Sequence, residues 1–276
     1  MPSPSFQALE DILLFDPGKR GIAPLVQRGA LESAARQLLE KSVVAVVTGF
    51  YIPSAKAPET DGPLGAVHLR DALQANGQSV TLITDDRCHS RLQTLGFSKL
   101  IGSHWSELPS ELGALVSIER LGRALDGHYY NMRGVDITDR TAPLDELFLQ
   151  AADAGVLTIG VGDGGNEIGM GNVRGLVSTH ISQGERIGST IPVDHLIVAG
   201  VSNWGAWGLV AGISMLAEKN LMPAASKARE DLERLVDAGV VDGVTGRAEP
   251  TVDGLDWDVH AEVLDRLTAV VRWACP

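Results

Sequence analysis

Five short apolar runs punctuate the chain: Val43–Thr48 (VVAVVT), Val80–Thr84 (VTLIT), Leu115–Ile118 (LVSI), Leu157–Val161 (LTIGV) and Leu196–Ala199 (LIVA). Each is continuous rather than alternating, the pattern of a strand covered on both faces. Between them, apolar positions recur at helical spacing. ALESAARQLLEK (Ala30–Lys41) precedes the first run, and LGAVHLRDALQANG precedes the second, with Gly77 placed to cap its end. PLDELFLQAADAG precedes the fourth, with Pro143 near its first turn and Gly155 past its last. NWGAWGLVAGISMLAEKN follows the fifth. Two amphipathic helices, Pro223–Leu235 and Trp257–Trp273, then flank a Gly- and Asp-rich connection. Alternation of strand and helix predicts an α/β fold: a mostly parallel sheet with helices on both faces, in a Rossmann-like three-layer architecture. No repeat, low-complexity tract or linker breaks the pattern, so residues 1–276 are expected to form a single α/β domain.

Composition narrows the function classes. With 44% hydrophobic residues the chain can bury a core and is not disordered. A formal charge of −12 argues against nucleic acid, which requires clustered Lys and Arg. It leaves room for an anionic metabolite, because a small pocket can be basic in an acidic protein. Cys88 and Cys275 lie far apart in no partner motif, which fits a reducing cytoplasm and neither a disulfide framework nor a zinc site. The N-terminus shows no basic, apolar leader pattern, and the apolar runs are too short to span a bilayer. The histidines (His68, His89, His104, His128, His180, His195, His260) show no metal spacing, with His128 and His180 the best placed for a role. Trp204 and Trp207 stand at helical spacing and suit the core; the apolar stretch 204–221 suits a core or a homo-oligomer contact alike.

The strand ends carry the chemistry. Thr48 leads into Gly49-Phe50, Thr84 into Asp85-Asp86, Ile118 into Glu119-Arg120, Val161 into a glycine-rich loop, and Ala199 into Gly200-Val201-Ser202-Asn203. In an open parallel sheet these carboxyl ends share one edge, where such folds bind ligands. The loop GVGDGGNEIGMGNV (160–173) is the most unusual of them. Gly160, Gly162 and Gly165 match G-x-G-x-x-G, but Asp163 would repel a pyrophosphate and the glycines that follow make a poor helix start, so no nucleotide or flavin is expected. Its glycines leave backbone N–H groups bare, while its carboxylates can bind a cation, hold an amine or move a proton. Amine and carboxylate together describe an amino acid.

Other segments add groups to the same edge. Lys19 and Arg20 sit in a glycine turn (DPGKRG) suited to an anion. Lys56, Glu59 and Asp61 lie between prolines over the proposed cleft. YYNMRG offers Asn131 and Arg133, and an arginine can grip a carboxylate bidentately. Ser202 or Asn203 is placed to cap the following helix.

The ordered set TGF (48–50), ETDGP (59–63), TDD (84–86), ER (119–120), YYNMRG (129–134), GVGDGGNEIGMG (160–171) and SNWGAWG (202–208) resembles the C-terminal catalytic domain of D-glutamate cyclases. The resemblance runs from about Asp16 to Leu255 and looks like a standalone, bacterial version of a domain that in animals forms the second half of a longer mitochondrial protein. It implies intramolecular dehydration of D-glutamate to 5-oxo-D-proline. On that expectation Asp163, Glu167, Asp86 and Glu119 are the catalytic carboxylates, and Asp163 and Glu167 hold the amine or a divalent metal such as Mg²⁺ or Mn²⁺. Substrate contacts are expected from Gly49, Glu59, Asp61, Arg120, Asn131, Arg133, Gly164, Gly165, Asn166, Ser202, Asn203 and Gly205. Arg133 or Arg120 would bind a carboxylate, and amides near Gly164, Gly165 and Gly205 the oxyanion. The expected partner is a small anionic amino acid, with no nucleic acid or membrane. Two alternatives stay open: a metal-assisted lyase or amide hydrolase acting on another small acid, and a non-catalytic amino acid or nucleotide sensor.

Overall fold

A computed structural model describes residues 3–99 and 108–274; His104 and Cys275 lie outside them. The chain begins with α1 (Pro4–Leu13) and α2 (Ala30–Leu39) before strand β1 (Val43–Thr48). A short antiparallel ribbon, β2 (Tyr51–Ile52) and β3 (Ala57–Pro58), precedes α3 (Pro63–Ala75). Then follow β4 (Ser79–Thr84), α4 (Asp86–Leu92), β5 (Phe97–Lys99), β6 (Ala114–Ile118), α5 (Glu146–Asp153) and β7 (Leu157–Gly162). Two short helices, α6 (Arg174–His180) and α7 (Gly184–Ile187), lead to β8 (His195–Val198) and α8 (Ser202–Leu216). The helices α9 (Ala225–Asp237) and α10 (Trp257–Ala274) close the fold.

Six strands form one sheet in the order β5-β4-β1-β6-β7-β8, every neighbouring pair parallel. Successive side chains of a strand point to opposite faces, and both faces are covered. Val44 and Val46 of β1 join the core built by α1, α2, α3, α8, α9 and α10. Ala45 and Val47 join the opposite core with Phe148 of α5. Strands dry on both sides read as unbroken apolar runs, which is why the predicted α/β three-layer architecture is the one observed.

Helix α8 is the apolar centre of the larger layer. Its residues from Ser202 to Ser214 are buried within the chain, including Trp204 and Trp207, so its apolar surface forms core. Trp204 Nε1 donates to His260 Nδ1 at 2.9 Å and Trp207 Nε1 to His68 Nδ1 at 2.8 Å, so each buried indole N–H has a partner. Gly205 lets α8 lie close on the sheet: a Cβ there would stand 2.5 Å from Val161 Cγ1. Gly205 N instead donates inside the helix, to Val201 O.

Two boundaries differ from the pattern reading. Helix α5 starts at Glu146 rather than at Pro143, because Pro143–Asp145 forms a turn in which the Asp145 carboxylate takes the Arg123 guanidinium. Neither Ser202 nor Asn203 caps α8. The Asp61 carboxylate does so from another loop, accepting from Ser202 N at 2.9 Å and Asn203 N at 2.8 Å.

Candidate active site

The carboxyl edge of the sheet opens into a cavity of about 550 Å³, lined among others by Arg20, Glu59, Glu119, Asn131, Arg133, Asp163 and Asp253. Each polar group arrives by a different route. Glu119 follows directly on β6 at a positive φ of 46°, which turns the chain sharply after the strand. Its Oε2 accepts from Ser202 Oγ at 2.6 Å. Asp163 follows β7. Glu59 and Asp61 come from the segment before α3, pinned to α8 by Asn203, whose Oδ1 accepts from Gly62 N at 3.0 Å and Gly65 N at 2.7 Å. Arg20 comes from the turn after α1 and pairs with Asp163 and, at 3.1 Å, with Asp253.

Most of these groups are out of water. Glu59, Asp61, Glu119 and Asp163 are buried, and the Arg20 side chain is 19% exposed. Burial pushes Glu59 and Glu119 well above the usual carboxylate range, and neighbouring carboxylates push further: Glu119, Asp253 and Asp61 on Glu59, and Glu167, Asp61 and Asp253 on Glu119. Burial likewise raises Asp163, with Arg20 pulling against it. Burial and the charge of Asp253 raise Asp61 to about 7, against the N–H groups of Asn203 and Ser202. Burial opposes the charge on Arg20, but Asp163 and Asp253 outweigh it and keep the guanidinium protonated. One buried guanidinium cannot balance the five carboxylates Glu59, Asp61, Glu119, Asp163 and Asp253. The cluster therefore holds protons near neutrality, or binds a further cation.

That charge balance gives a pH prediction. A carboxyl raised in the folded state stabilises the fold fully below its unfolded pKa and loses that contribution as pH rises through the folded value, here about 7 for Asp61. Asp85 and Asp231, lowered in the folded state by Arg120 and by His68 and Lys227 respectively, against the cost of burial, work in the opposite sense in acid. The thermal midpoint of the ligand-free protein is expected to peak on the acid side of neutrality and to fall between about pH 6 and about pH 8. A midpoint that climbs steadily over that range contradicts the protonated cluster.

The expected site residues divide into three groups. Glu59, Glu119, Asn131, Arg133 and Asp163 line the cavity itself. Asp61 joins Glu119 and Asp163 in a buried triad whose carboxylate oxygens lie within 4.8 Å of one another. A second group frames the site. Glu167 turns back into its own loop, where its carboxylate accepts from the N–H groups of Asp163 (3.0 Å), Gly164 (2.6 Å) and Gly165 (2.7 Å). Those amides are therefore engaged by Glu167, and Glu167 stands outside the triad that can hold a cation. Asn166 ties the loop to Tyr130 O at 2.8 Å, and Asn131 Oδ1 closes a turn on Arg133 N and Val135 N.

Arg120 is also structural in its contacts. Its guanidinium donates to Gly49 O at 2.6 Å, Asp85 Oδ2 at 2.7 Å and Ala142 O at 2.6 Å. The side chain is buried away from the cavity lining, in which Arg20 and Arg133 are the arginines. Asp86 lies outside the cluster, exposed in the first turn of α4, while its neighbour Asp85 caps that helix and faces Arg120. His128 is exposed and bonded to Asp136, and His180 is exposed on α6. Asp253 and residues 243–246 are the parts of the lining that the strand-end reasoning missed. They belong to the Gly- and Asp-rich connection before α10, and no strand leads to them.

The triad suits a hard divalent cation: three carboxylate oxygens converge, and Thr48 Oγ1, buried without a hydrogen-bond partner, would stand 2.4 Å from a Cβ on Gly62 beside Asp61. No helix among the described residues is long and apolar enough to cross a membrane.

A glycine loop that spends its own amides on Glu167, a carboxylate triad and a buried arginine meet at one cavity. Comparison with known proteins places the chain in a family. The chain is 33% identical over 320 residues to the human protein named D-glutamate cyclase, mitochondrial, covering 97% of this chain and 52% of that protein. It thus spans about half the length of that relative. Residues 9–268 match the family described as D-glutamate cyclase-like, C-terminal, a span that contains every residue of the cavity lining, and the chain belongs to that family.

Proposed function

We propose that the protein closes D-glutamate to 5-oxo-D-proline with loss of water. The observation that carries this reading is the placement of a buried guanidinium, Arg20, among protonatable carboxylates in one cavity. A zwitterionic amino acid is its complement. The ammonium sits against Asp163 and Glu119, and the two substrate carboxylates go to the arginines of the lining, Arg20 at depth and Arg133 at the exposed rim.

The chemistry requires a neutral amine and a γ-carboxyl that can lose oxygen. Asp163, in contact with Arg20, takes a proton from the ammonium. The freed nitrogen attacks the γ-carbon, which lies within the same molecule, so ring closure needs only the right conformer. The N–C bond forms and one C–O bond breaks. Of the three protons on the ammonium, one stays on the lactam nitrogen and two leave with the oxygen as water, relayed by Asp163 and Glu119. A carboxyl held neutral by burial is the acid such a departure needs. Arg20 offsets the charge on the γ-carboxylate and on the tetrahedral oxyanion. Asp61, Glu119 and Asp163 would hold Mg²⁺ or Mn²⁺ if the enzyme uses one, and such an ion would neutralise a substrate carboxylate.

The carboxylate triad also suits a metal-assisted lyase or amide hydrolase acting on another small acid. The two readings part in one experiment: incubation with D-glutamate, with chelator or with added Mg²⁺ or Mn²⁺, and assay of 5-oxoproline. Product under any of these conditions supports the cyclase. Complete inertness toward D-glutamate, with chelator-sensitive turnover of a different small acid, favours the second reading and removes the first.

A further inference from the structure

Arg20 reaches the cavity from DPGKRG (16–21), a turn that belongs to no helix or strand. An arginine on a loose turn has many conformations, and holding it in one costs entropy that other contacts must offset. Two sets of contacts fix this turn.

The first anchors the chain just before it. Gly200 N donates to Leu13 O at 3.0 Å, and the Phe15 ring stacks on Trp204 with centroids 5.7 Å apart. The approach is close: a Cβ on Gly200 would stand 1.9 Å from Phe15 O. The second set comes from Asp16, at the head of the turn. Its Oδ1 accepts from Arg20 N at 3.0 Å and its Oδ2 from Gly21 N at 2.8 Å, while its carbonyl accepts from Lys19 N at 3.1 Å. Pro17 restricts the backbone at the next position, and Lys19 takes a left-handed φ of 54°. A lysine in that conformation is held there by its surroundings rather than by its own preference.

The turn delivers the guanidinium through one atom. Among the described residues its hydrogen bonds and ion pairs all fall on Nη1, which meets Asp163, Asp253 Oδ2 at 3.1 Å and Gly200 O at 3.5 Å. Gly200 is thus engaged at both ends, its N–H by the segment before the turn and its carbonyl by the side chain after it. Asp16 is not part of the cavity lining. It takes the amides of Arg20 and Gly21 for itself, as Glu167 does with the loop after β7.

We infer that Asp16 is a positioning residue: its carboxylate holds the backbone of Arg20 and Gly21 so that the guanidinium meets Asp163 and a ligand carboxylate in the cavity. The inference rests on the reading that Arg20 receives a substrate carboxylate, and it adds the group that sets where Arg20 stands.

The test uses Asp16→Ala, Asp16→Asn, Arg20→Gln and the double variant Asp16→Ala/Arg20→Gln in the full chain. In steady-state kinetics on D-glutamate, Asp16→Ala is expected to lower kcat/KM by about 30- to 100-fold, because a displaced guanidinium no longer meets the reacting carboxylate. Asp16→Asn keeps a carbonyl oxygen for the Arg20 N–H and is expected to stay within about fivefold of wild type. Wild-type kinetics in Asp16→Ala, or an Asp16→Asn as impaired as Asp16→Ala, overturns the inference. Melting temperatures taken without any substrate close a double-mutant cycle. Asp16→Ala is expected to lower the midpoint by about 2–4 °C in wild type and by no more than about 1 °C in the Arg20→Gln background, where no guanidinium is left to misplace. Equal drops in the two backgrounds would mean that Asp16 stabilises the turn independently of Arg20, and overturn the inference. If wild type leaves D-glutamate unchanged, the function reading falls, while the melting cycle still decides whether Asp16 acts through Arg20.

Discussion

Replacement of Asp163 by Asn is expected to lower turnover of D-glutamate by about 10²- to 10⁴-fold while the fold survives. Asn keeps the size and one acceptor oxygen of the side chain but cannot take a proton from an ammonium. The loop that holds residue 163 does not depend on its carboxylate: Glu167 supplies the three bonds that shape it, one of them to the backbone N–H of Asp163. Arg20 loses one partner and keeps Asp253 and Gly200 O. The substitution also removes one of the surplus carboxylates, which offsets the lost ion pair. Thermal melts should therefore stay within a few degrees of wild type, and kcat/KM measured alongside isolates the chemical loss. Near-normal turnover by Asp163→Asn would take the base away from this residue.

Arg20→Gln carries the opposite expectation for stability. It removes the positive charge that the buried cluster is built around and leaves Asp163 and Asp253 facing each other without it. Stripping one partner from a buried charge group costs about 3–5 kcal/mol, so the melting temperature is expected to drop by about 10 °C at pH 8. The loss should shrink in mild acid, because the carboxylates whose pKa values burial has raised can take up protons instead. Melts of wild type and variant at about pH 5.5 and about pH 8 test both halves. An equal loss at both values would mean that the cluster is not titrating around Arg20.

The sheet was readable from the chain because its strands are buried on both faces and so announce themselves as unbroken apolar runs. β5 was not, since three residues at a sheet edge carry no pattern. Helix α4 (DRCHSRL) is short and polar, and only its cap marks it. That cap also explains why Asp86, expected at the site, lies outside the cavity. Both follow a strand, but the first of an Asp pair before a helix takes the capping position and turns inward, leaving the second in solvent. Glu119 and Arg120 pose the same problem. Adjacent residues leaving a strand point to opposite sides, so only one of them can face the cavity, and the carboxylate is the one that does.

Strand-end reasoning finds residues that the sheet itself positions, which is why it reached Glu119 and Asp163. It cannot find groups delivered by distant segments. Arg20 was visible as a cation in a glycine turn suited to an anion, but nothing local says that it meets a residue 143 positions away. Asp253 lies in a stretch whose Gly and Asp content marks a loop and no more. The glycine-rich loop misled in a specific way: bare amides next to a carboxylate suggest an oxyanion site, whereas Glu167, two and three residues beyond Gly165 and Gly164, folds back and takes those amides itself.

The central claim is that the buried acid cluster around Arg20 receives an amino acid and closes it into a lactam, and the enantiomers of glutamate test it most directly. Purified protein is incubated with D-glutamate and, separately, with L-glutamate, and 5-oxoproline is resolved by chiral chromatography. The account predicts 5-oxo-D-proline from the D form and no enzymatic product from the L form, because carboxylates fixed on Arg20 and Arg133 leave the amine on one side of the α-carbon. Lactam from neither enantiomer, or from both at equal rates, would contradict it.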